Sequence, residues 1–262
     1  MATSTEGAAQ VERDRDVLRA LREGELRLEG RLMEASNASF LGTTRLVASG
    51  TEPADGDDPA DAVEVRCIYK PIAGERPLWD FPDGTLAHRE VAAFVVSEAA
   101  GWRVVPATVF RDDGPFGAGM AQEWIEVDES FDLAAALRSG TPELRRIALF
   151  DAVVNNTDRK GGHLLPTPDG RLLGVDHGVC FSVEPKLRTI LWGWRGDRLR
   201  AAEVATLERL RLDLAGPLGA TLAAHLHDDE IAATGDRVEA LLAARRFPQP
   251  SPDWPAVPWP PF

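Results

Sequence analysis

The sequence predicts an α+β fold made of two lobes. Short alternating apolar segments with one helical segment fill the chain to about residue 121, and helical segments dominate from about residue 128. The stretch QEWIEV joins the two parts. We expect an extension and helix over residues 1–24, an N-lobe with an antiparallel sheet over 25–127, a mainly helical C-lobe over 128–246, and a Pro-rich tail over 247–262.

The elements of the predicted N-lobe follow one another as a helix, a hairpin, a strand, a second helix and two strands. Apolar spacing indicates a helix from Val11 to Leu21, and residues 1–10 are expected to be disordered. Alternation predicts a hairpin in ELRLEGRLM and FLGTTRLVAS, and a third strand in AVEVRCIYKP that stops at Pro71. A helix is predicted from Leu86 to Ala100, and strands in RVVPATVFRD and GAGMAQEWIEV.

The predicted C-lobe consists of helices, interrupted by one polar stretch. Two helices are predicted in SFDLAAALR and TPELRRIALFDAVVNN, where Thr141 and Pro142 form a start signal. Two more are predicted from Ala201 to Leu214 and from Asp228 to Arg245. The tail FPQPSPDWPAVPWPPF is expected to be extended and to lie across the surface.

Composition and charge exclude several classes of function. The net charge of −13 argues against general nucleic-acid binding and against attachment to anionic membranes by charge alone. No apolar run approaches the ~18 residues that a membrane span needs, and MATSTEGAAQVERDRD lacks the features of a signal peptide. Because Cys67 and Cys180 lie outside any CxxC motif, we expect free thiols. The sequence thus predicts a cytoplasmic protein without a transmembrane segment.

The stretch NNTDRKGGHLLPTPDGRLLGVDHG, residues 155–178, contains the candidate catalytic groups. Asp169 and Gly170 form a turn signal between two apolar runs, which predicts a two-residue hairpin. In that register His163 faces Asp176, with Cβ atoms about 4.5–5.5 Å apart. An imidazole and a carboxylate at this distance either form a hydrogen-bonded surface pair or share a divalent cation such as Mg²⁺ or Mn²⁺.

The motifs TDRKGGH and GVDHG resemble the catalytic loop and metal-binding segment of the phosphatidylinositol 3-/4-kinase-like branch of the protein-kinase-like superfamily, and HipA-type kinases are similar. The resemblance implies that Asp158 is the base or orienter of the attacking hydroxyl and that Asp176 holds Mg²⁺. His163 stands where the family usually places a metal-binding Asn, which is a departure from the pattern. Arg159 is expected to brace the loop, and Lys160 to meet the transferring phosphate.

The same resemblance implies a two-lobed protein-kinase-like fold with a strand Lys and a helix Glu that bind and position the nucleotide phosphates. CIYKP places Lys70 at the end of the third strand, and HREVAAF places Glu90 early in the N-lobe helix. Each residue taken alone is also compatible with an exposed surface position. The order of the elements along the chain favours the kinase interpretation.

Two further segments complete the implied nucleotide site. The loop EASNASF lacks the glycines of protein kinases but resembles the Ser-rich loop of the lipid-kinase-like branch. It either contacts phosphates or forms an ordinary hairpin turn, and its candidate residues are Ser36, Asn37 and Ser39. The adenine is expected to bond the backbone of a connector formed by Gln122, Glu123, Trp124 and Ile125. The indole of Trp124 would flank the adenine or plug the junction of the lobes.

The segment CFSVEPKLRTILWGWRGD after Asp176 occupies the place of an activation or substrate loop. One possibility is that its cations and aromatic side chains bind a substrate that is anionic or has an apolar head group. The other is that the tryptophans fill the core and the cations are solvated. The residues concerned are Lys186, Arg188, Trp192 and Trp194.

Together these patterns predict a kinase that depends on ATP and Mg²⁺ (or Mn²⁺) and transfers the γ-phosphate to a hydroxyl of a protein, small-molecule or lipid substrate. Two alternatives stay open. The missing glycines and the His at position 163 favour a nucleotide-binding pseudokinase with a regulatory role. An enzyme of the same fold that transfers AMP is the other.

Overall fold

A computed structural model describes residues 2–32, 37–47 and 62–262 of the chain. The chain divides into two compact units, one formed by Met1–Pro77 and Ala107–Trp124 and the other by Leu78–Pro106 and Ile125–Phe262. The first unit contains a five-stranded antiparallel sheet, and the second is mainly helical. The predicted α+β class is therefore confirmed. Among the described residues, no helix combines the length and the apolar character needed to cross a membrane.

The first unit is built on the five-stranded sheet. Its strands follow the spatial order β1-β2-β3-β5-β4, with bounds β1 (Glu25–Leu32), β2 (Ser39–Val47), β3 (Ala62–Pro71), β4 (Thr108–Arg111) and β5 (Gly119–Glu123). Alternation along β3 buries Cys67 and Tyr69, so Lys70 lies on the opposite face of the sheet.

Helix α1 (Ala2–Glu23) packs on the buried face of this sheet through Val17, Ala20 and Leu21. It begins at Ala2, so the expectation of disorder is wrong for residues 2–10, and Met1 lies outside the described residues. The first turns, ATSTEGAAQ, carry no apolar stripe, and the apolar spacing therefore could not reveal them. The buried guanidinium of Arg111 donates to the carbonyls of Leu21 and Gly24 and so satisfies the end of the helix.

The second unit contains six α-helices and a two-stranded sheet among its described elements. The helices α4 (Pro142–Val154), α5 (Ala201–Leu214) and α7 (Asp228–Ala244) supply much of the core, and α2 (Leu86–Ala99) joins it through Ala92, Ala93 and Val96. The remaining elements are α3 (Leu133–Ser139), α6 (Pro217–Leu222), β6 (Leu164–Pro166) and β7 (Leu172–Gly174). The sequence prediction lacks α6, a single short helix.

The hairpin of β6 and β7 differs from the prediction by one residue in register. Leu164 pairs with Gly174, and the amide N–H of Val175 donates to the carbonyl of His163 at 3.0 Å. The loop therefore has three residues and ends at Gly170, whose φ of 81° is left-handed. A three-residue hairpin loop is typically a type I turn followed by a bulge, and Pro is favoured at the second residue of such a turn, where Pro168 lies. The predicted facing of His163 and Asp176 across the ladder is therefore wrong.

Candidate functional site

The polar stretch begins where α4 ends. Asn155 adopts the left-handed conformation, with φ 52°, and closes the helix there. Its side chain donates to the carbonyls of Ser182 and Glu184 at 2.9 and 2.7 Å, and it accepts from the amide of Lys186 at 3.1 Å. Asn155 therefore fastens the segment that follows the GVDHG motif to the end of α4.

Arg159 is the centre of a buried network under the loop. Its side chain and that of Asp151 are both completely buried, and their closest atoms, Nη2 and Oδ1, lie 2.9 Å apart. A second donor, Nε, lies 3.1 Å from Oδ2 of Asp151, so the pair is held by two parallel contacts. Nη1 also donates to the carbonyl of Val175 at 3.0 Å. These contacts join α4, the loop formed by Asp158, Arg159 and Lys160 (the DRK loop) and the hairpin.

Asn156 connects this network to Asp158. Its amide nitrogen donates to Oδ1 of Asp151 at 3.0 Å, and its amide oxygen accepts from the backbone N–H of Asp158 at 2.9 Å. The Asp158 side chain is 30% exposed and lies 2.9 Å from the ammonium of Lys160. The backbone of Asp158 is thus fixed by Asn156, while its carboxylate and the side chain of Lys160 are partly exposed.

His163 and Asp176 lie close together although they do not face each other in the ladder. Nε2 of His163 is 3.4 Å from Oδ2 of Asp176. Asp176 has a left-handed φ of 62°, which turns the chain as it leaves β7. Burial lowers the pKa of His163, so the ring is neutral at pH 7 and keeps one lone pair.

The pair fits a shared divalent cation. Two ligands at about 2.1 Å from one ion and at a right angle are ~3 Å apart, close to the 3.4 Å observed. Nε2 of His163 would be the ligand, and the ring proton would then be on Nδ1, which is buried without a hydrogen-bond partner among the described residues. Within residues 2–32, 37–47 and 62–262, no group of three or more His, Cys, Asp or Glu side chains is arranged to hold a metal. Nucleotide phosphates would have to supply the other ligands, which is how Mg²⁺ is usually held.

Glu90 contacts the GVDHG segment within the second unit. Its side chain is 2% exposed, and Oε2 accepts from the backbone N–H of His177 at 2.8 Å. Nε2 of His177 lies 2.6 Å from Nη2 of Arg159. Because a guanidinium only donates, Nε2 is the acceptor and the ring proton is on Nδ1, 4.0 Å from Glu90. The residue after Asp176 is therefore held by both Glu90 and Arg159.

The predicted nucleotide-binding residues of the first unit lie on β3, β5 and the loop before β2. Lys70 pairs with Met120 in the ladder of β3 and β5 and is partly buried. Oδ1 of Asn37 accepts from the amide of Arg76 at 2.9 Å, and the hydroxyl of Ser39 donates to the carbonyl of Asn37 at 3.4 Å. Ser36 lies outside the described residues.

The predicted connector, Gln122 to Ile125, begins in the last residues of β5, and two of its amides are already engaged in backbone hydrogen bonds. The amides of Glu123 and Trp124 donate to the carbonyls of Ala107 and Arg66, each at 2.8 Å. The side chain of Gln122 is buried and donates to Thr108. A bound adenine would therefore have to hydrogen-bond the carbonyls of this connector or the amide of its last residue, Ile125.

The predicted substrate segment contacts the tail and the core. Lys186 is 2% exposed, pairs with Asp80 and lies 5.2 Å from the ring centre of Trp254. Its burial rules out the direct substrate contact considered above. The Nε atom of Arg188 and the Nε1 atom of Trp192 donate to tail carbonyls, and Trp194 packs against the helical core, as the core-plug alternative expects.

Comparison with known proteins identifies one clear relative. The chain is 38% identical over 291 aligned positions to Protein Rv2133c of Mycobacterium tuberculosis, and the alignment covers 98% of this chain and 99% of the relative. The chain belongs to the Rv2133c family. No family model matches its sequence.

Solved structures place this Rv2133c-family chain in a known fold. The Golgi casein kinase with Mn/ADP bound matches with a TM-score of 0.58 and 14% identity, over 89% of this chain and 75% of that chain. The structure of hydra Fam20 with sugar matches with a TM-score of 0.53 and 13% identity, over 87% and 86%. These likenesses confirm the predicted protein-kinase-like fold.

The sequence prediction did not include two residues that lie next to the candidate site in this Rv2133c-family chain, Asp151 and Asn156. Asp151 and Asn156 are completely buried beneath the loop. One signal was available, because Asp151 interrupts the apolar run ALFDAVV in a helix, and a charge at such a position is buried only when it is paired.

The free thiols expected at Cys67 and Cys180 are present. Burial raises the pKa of Cys67 to about 11 and that of Cys180 as well, so neither is a reactive thiolate.

Proposed function

We propose that the chain is a kinase-type phosphotransferase that uses ATP and a divalent cation, Mg²⁺ or Mn²⁺, to phosphorylate a hydroxyl. The observation that carries the proposal is the grouping of two pairs in one loop and hairpin. Asp158 lies 2.9 Å from Lys160, and His163 lies 3.4 Å from Asp176. The protein-kinase-like fold supports the same reading. The Golgi casein kinase of similar fold was solved with Mn/ADP bound, which supports a nucleotide and a divalent cation as ligands.

The roles of the residues follow from their exposure and charge. Asp158, whose carboxylate is accessible, would accept the proton of the acceptor hydroxyl as its oxygen attacks the γ-phosphorus and ADP leaves. The ammonium of Lys160 would offset negative charge on the transferring phosphoryl group. Arg159, Asn156 and Asp151 would keep the loop in position.

His163 and Asp176 would hold the cation through one nitrogen and one carboxylate oxygen. When bound, the cation would neutralise charge on the nucleotide phosphates. We propose that Lys70 binds the α- and β-phosphates and that Glu90 helps to orient both Lys70 and the GVDHG segment. Loop residues Ser36, Asn37 and Ser39 and the connector from Gln122 to Ile125 would bind the rest of the nucleotide.

The finer placement in the phosphatidylinositol 3-/4-kinase-like or HipA-like branch rests on the TDRKGGH and GVDHG motifs and on the Ser-containing loop. This placement makes proteins, small hydroxylated molecules and inositol lipids the candidate acceptors. The net charge of −13 favours a protein or small-molecule acceptor over an anionic lipid surface.

Labelled nucleotide tests the reaction class. Incubation with cell extract should move the label of γ-labelled ATP, and not that of α-labelled ATP, into an acceptor. Transfer of the α-label instead would indicate AMP transfer, and transfer of neither label would favour a pseudokinase. Either result contradicts the proposal.

Two substitutions separate metal binding from catalysis. Asp176→Asn should abolish Mg²⁺-dependent ATP binding measured by calorimetry, whereas Asp158→Asn should retain binding and lose turnover. Glu129→Gln, at an exposed carboxylate, is the control and should change neither. Unchanged affinity for Mg·ATP in Asp176→Asn would refute the metal assignment.

A further inference from the structure

The Pro-rich tail is bound to the segment that follows the GVDHG motif. The carbonyl of Ala256 accepts from the amide of Thr189 at 3.0 Å and from Nε1 of Trp192 at 2.7 Å. The carbonyl of Pro255 accepts from Nε of Arg188 at 3.2 Å. Backbone and side-chain donors of one segment thus fix two consecutive tail carbonyls.

An aromatic and charged cluster holds the tail just before these carbonyls. The rings of Trp254 and Trp79 are stacked with centres 6.2 Å apart. The ammonium of Lys186 lies 5.2 Å from the ring centre of Trp254 and pairs with Asp80. Cation–π contacts of a desolvated Lys are stronger than those at the surface, so this cluster is an anchor for the tail.

The segment that binds the tail is itself bound to the DRK loop. The amide of Arg159 donates to the carbonyl of Arg188 at 3.1 Å, and the amide of Ile190 donates to the carbonyl of Arg159 at 3.2 Å. Arg159 and Thr189 form a parallel bridge. Thr189 therefore links the two segments, because its neighbours bond the backbone of Arg159 while its own amide bonds the tail at Ala256.

The tail then reaches the DRK loop directly. The amide of Gly161 donates to the carbonyl of Pro261 at 2.8 Å. A Cβ atom on Gly161 would lie 2.1 Å from Cδ1 of Phe262, nearer than real Cβ contacts allow, whereas a Cβ on Gly162 would meet nothing within 4 Å. Only glycine at position 161 leaves room for the phenyl ring as it stands.

We propose that residues 254–262 form a clasp that positions the DRK loop, with Pro261 and Phe262 as positioning residues for Asp158 and Lys160. The inference rests on the proposed function. Gly161 and Gly162 begin a single 3-10 turn, Gly161–His163. Because glycine has little intrinsic conformational restriction, such a short turn depends on outside contacts, and the clasp supplies one to Gly161. Phe262 touches no reacting group in the proposed chemistry. It acts through the loop, where a displacement of ~1 Å can cost up to a hundredfold in rate.

His163 has its own backbone restraint, independent of the clasp. Its carbonyl accepts from the amide of Val175 at 3.0 Å. Loss of the clasp should therefore change turnover more than nucleotide binding. We expect Phe262→Ala and Gly161→Ala to lower kcat about tenfold with little change in the KM for ATP. Phe262→Tyr, which keeps the ring, should restore kcat.

The experiment combines hydrogen exchange with kinetics in the full chain. Exchange at the amide of Gly161 should be about tenfold faster in Phe262→Ala than in the wild type. Gly162→Ala is the matched control for Gly161→Ala and should leave exchange at Gly161 unchanged. Phe262 is 69% exposed, so its replacement by Ala should not prevent folding even if Gly161→Ala does.

The outcomes separate the clasp from the chemistry. Unchanged exchange in Phe262→Ala would overturn the clasp. Faster exchange with unchanged kcat would overturn its positioning role, and so would an equal loss of kcat in Phe262→Tyr and Phe262→Ala. If the wild type transfers no phosphate, the proposed function fails, while the exchange data still decide whether the tail holds the loop.

Discussion

Substituting Arg159 by Met is expected to destabilise the protein by about 3–5 kcal/mol, the usual cost of breaking a buried ion pair. Both partners of the pair with Asp151 are completely buried, so water cannot solvate the carboxylate that remains. Asp151 would keep contacts with Nδ2 of Asn156 at 3.0 Å and Oγ1 of Thr189 at 3.3 Å. Two neutral donors do not replace a guanidinium that meets both carboxylate oxygens.

The loss of stability in Arg159→Met can be measured by urea unfolding and thermal denaturation. At about 2–4 °C per kcal/mol for a chain of this size, the melting temperature should fall by roughly 10 °C. Arg171→Met is the matched control, since Arg171 pairs with Asp169 at 2.7 Å on the surface, with side chains 60% and 57% exposed. An exposed pair of this kind contributes less than about 1 kcal/mol.

A double substitution tests the reason for the loss. Asp151→Leu combined with Arg159→Met removes both charges, and replacing a buried pair by apolar side chains costs little. The double variant should therefore be more stable than Arg159→Met alone. The reasoning is refuted if Arg159→Met costs no more than Arg171→Met, or if the double variant is less stable than both single variants.

Two further predictions concern the second unit, one for the partly buried ring of His225 and one for the buried ammonium of Lys186. Burial, and then His88 with its Nδ1 3.1 Å away, lowers the pKa of His225 to about 4. Because the unfolded ring takes up its proton near pH 6.5, stability should fall by about 1–2 kcal/mol between pH 6.5 and 4 after allowance for partial exposure. Urea midpoints should show a smaller fall in His225→Gln, and an identical fall would count against this origin. Lys186→Met should cost about 2–4 kcal/mol and make the tail more sensitive to limited proteolysis; unchanged cleavage would contradict its anchoring role.

The sequence predicted most of the fold because its elements carry strong local patterns. Strand alternation located β3 with Lys70 at its end, and helical patterns, with a start signal at Thr141 and Pro142, located α2, α4, α5 and α7. The prediction was wrong where the pattern was weak or ambiguous. The polar first turns of α1 lack an apolar stripe that would indicate a helix. The turn at Gly170 is compatible with two loop lengths, which differ by one residue in the register of the hairpin.

The sequence predicted that His163 and Asp176 lie close together, but the geometric reason behind that prediction is wrong. His163 and Asp176 lie 3.4 Å apart, yet the ladder pairs His163 with Val175 rather than with Asp176. The left-handed conformation of Asp176 allows its carboxylate to approach His163, and no pattern of residue types predicts that conformation. Proximity was predictable from the spacing of the two residues around a hairpin, whereas register and side-chain direction were not.

By itself, the sequence determined most of the segments that form strands and helices, and which loop contains the candidate chemical groups, because periodicity and turn residues act over short distances. Only the tertiary structure decided which polar groups are buried together. The pairing of Arg159 with Asp151, the contact of Glu90 with His177 and the seat of Phe262 on Gly161 join residues that are separated along the chain. Buried charges are tolerated only with partners, and the partners become defined when the core closes around them.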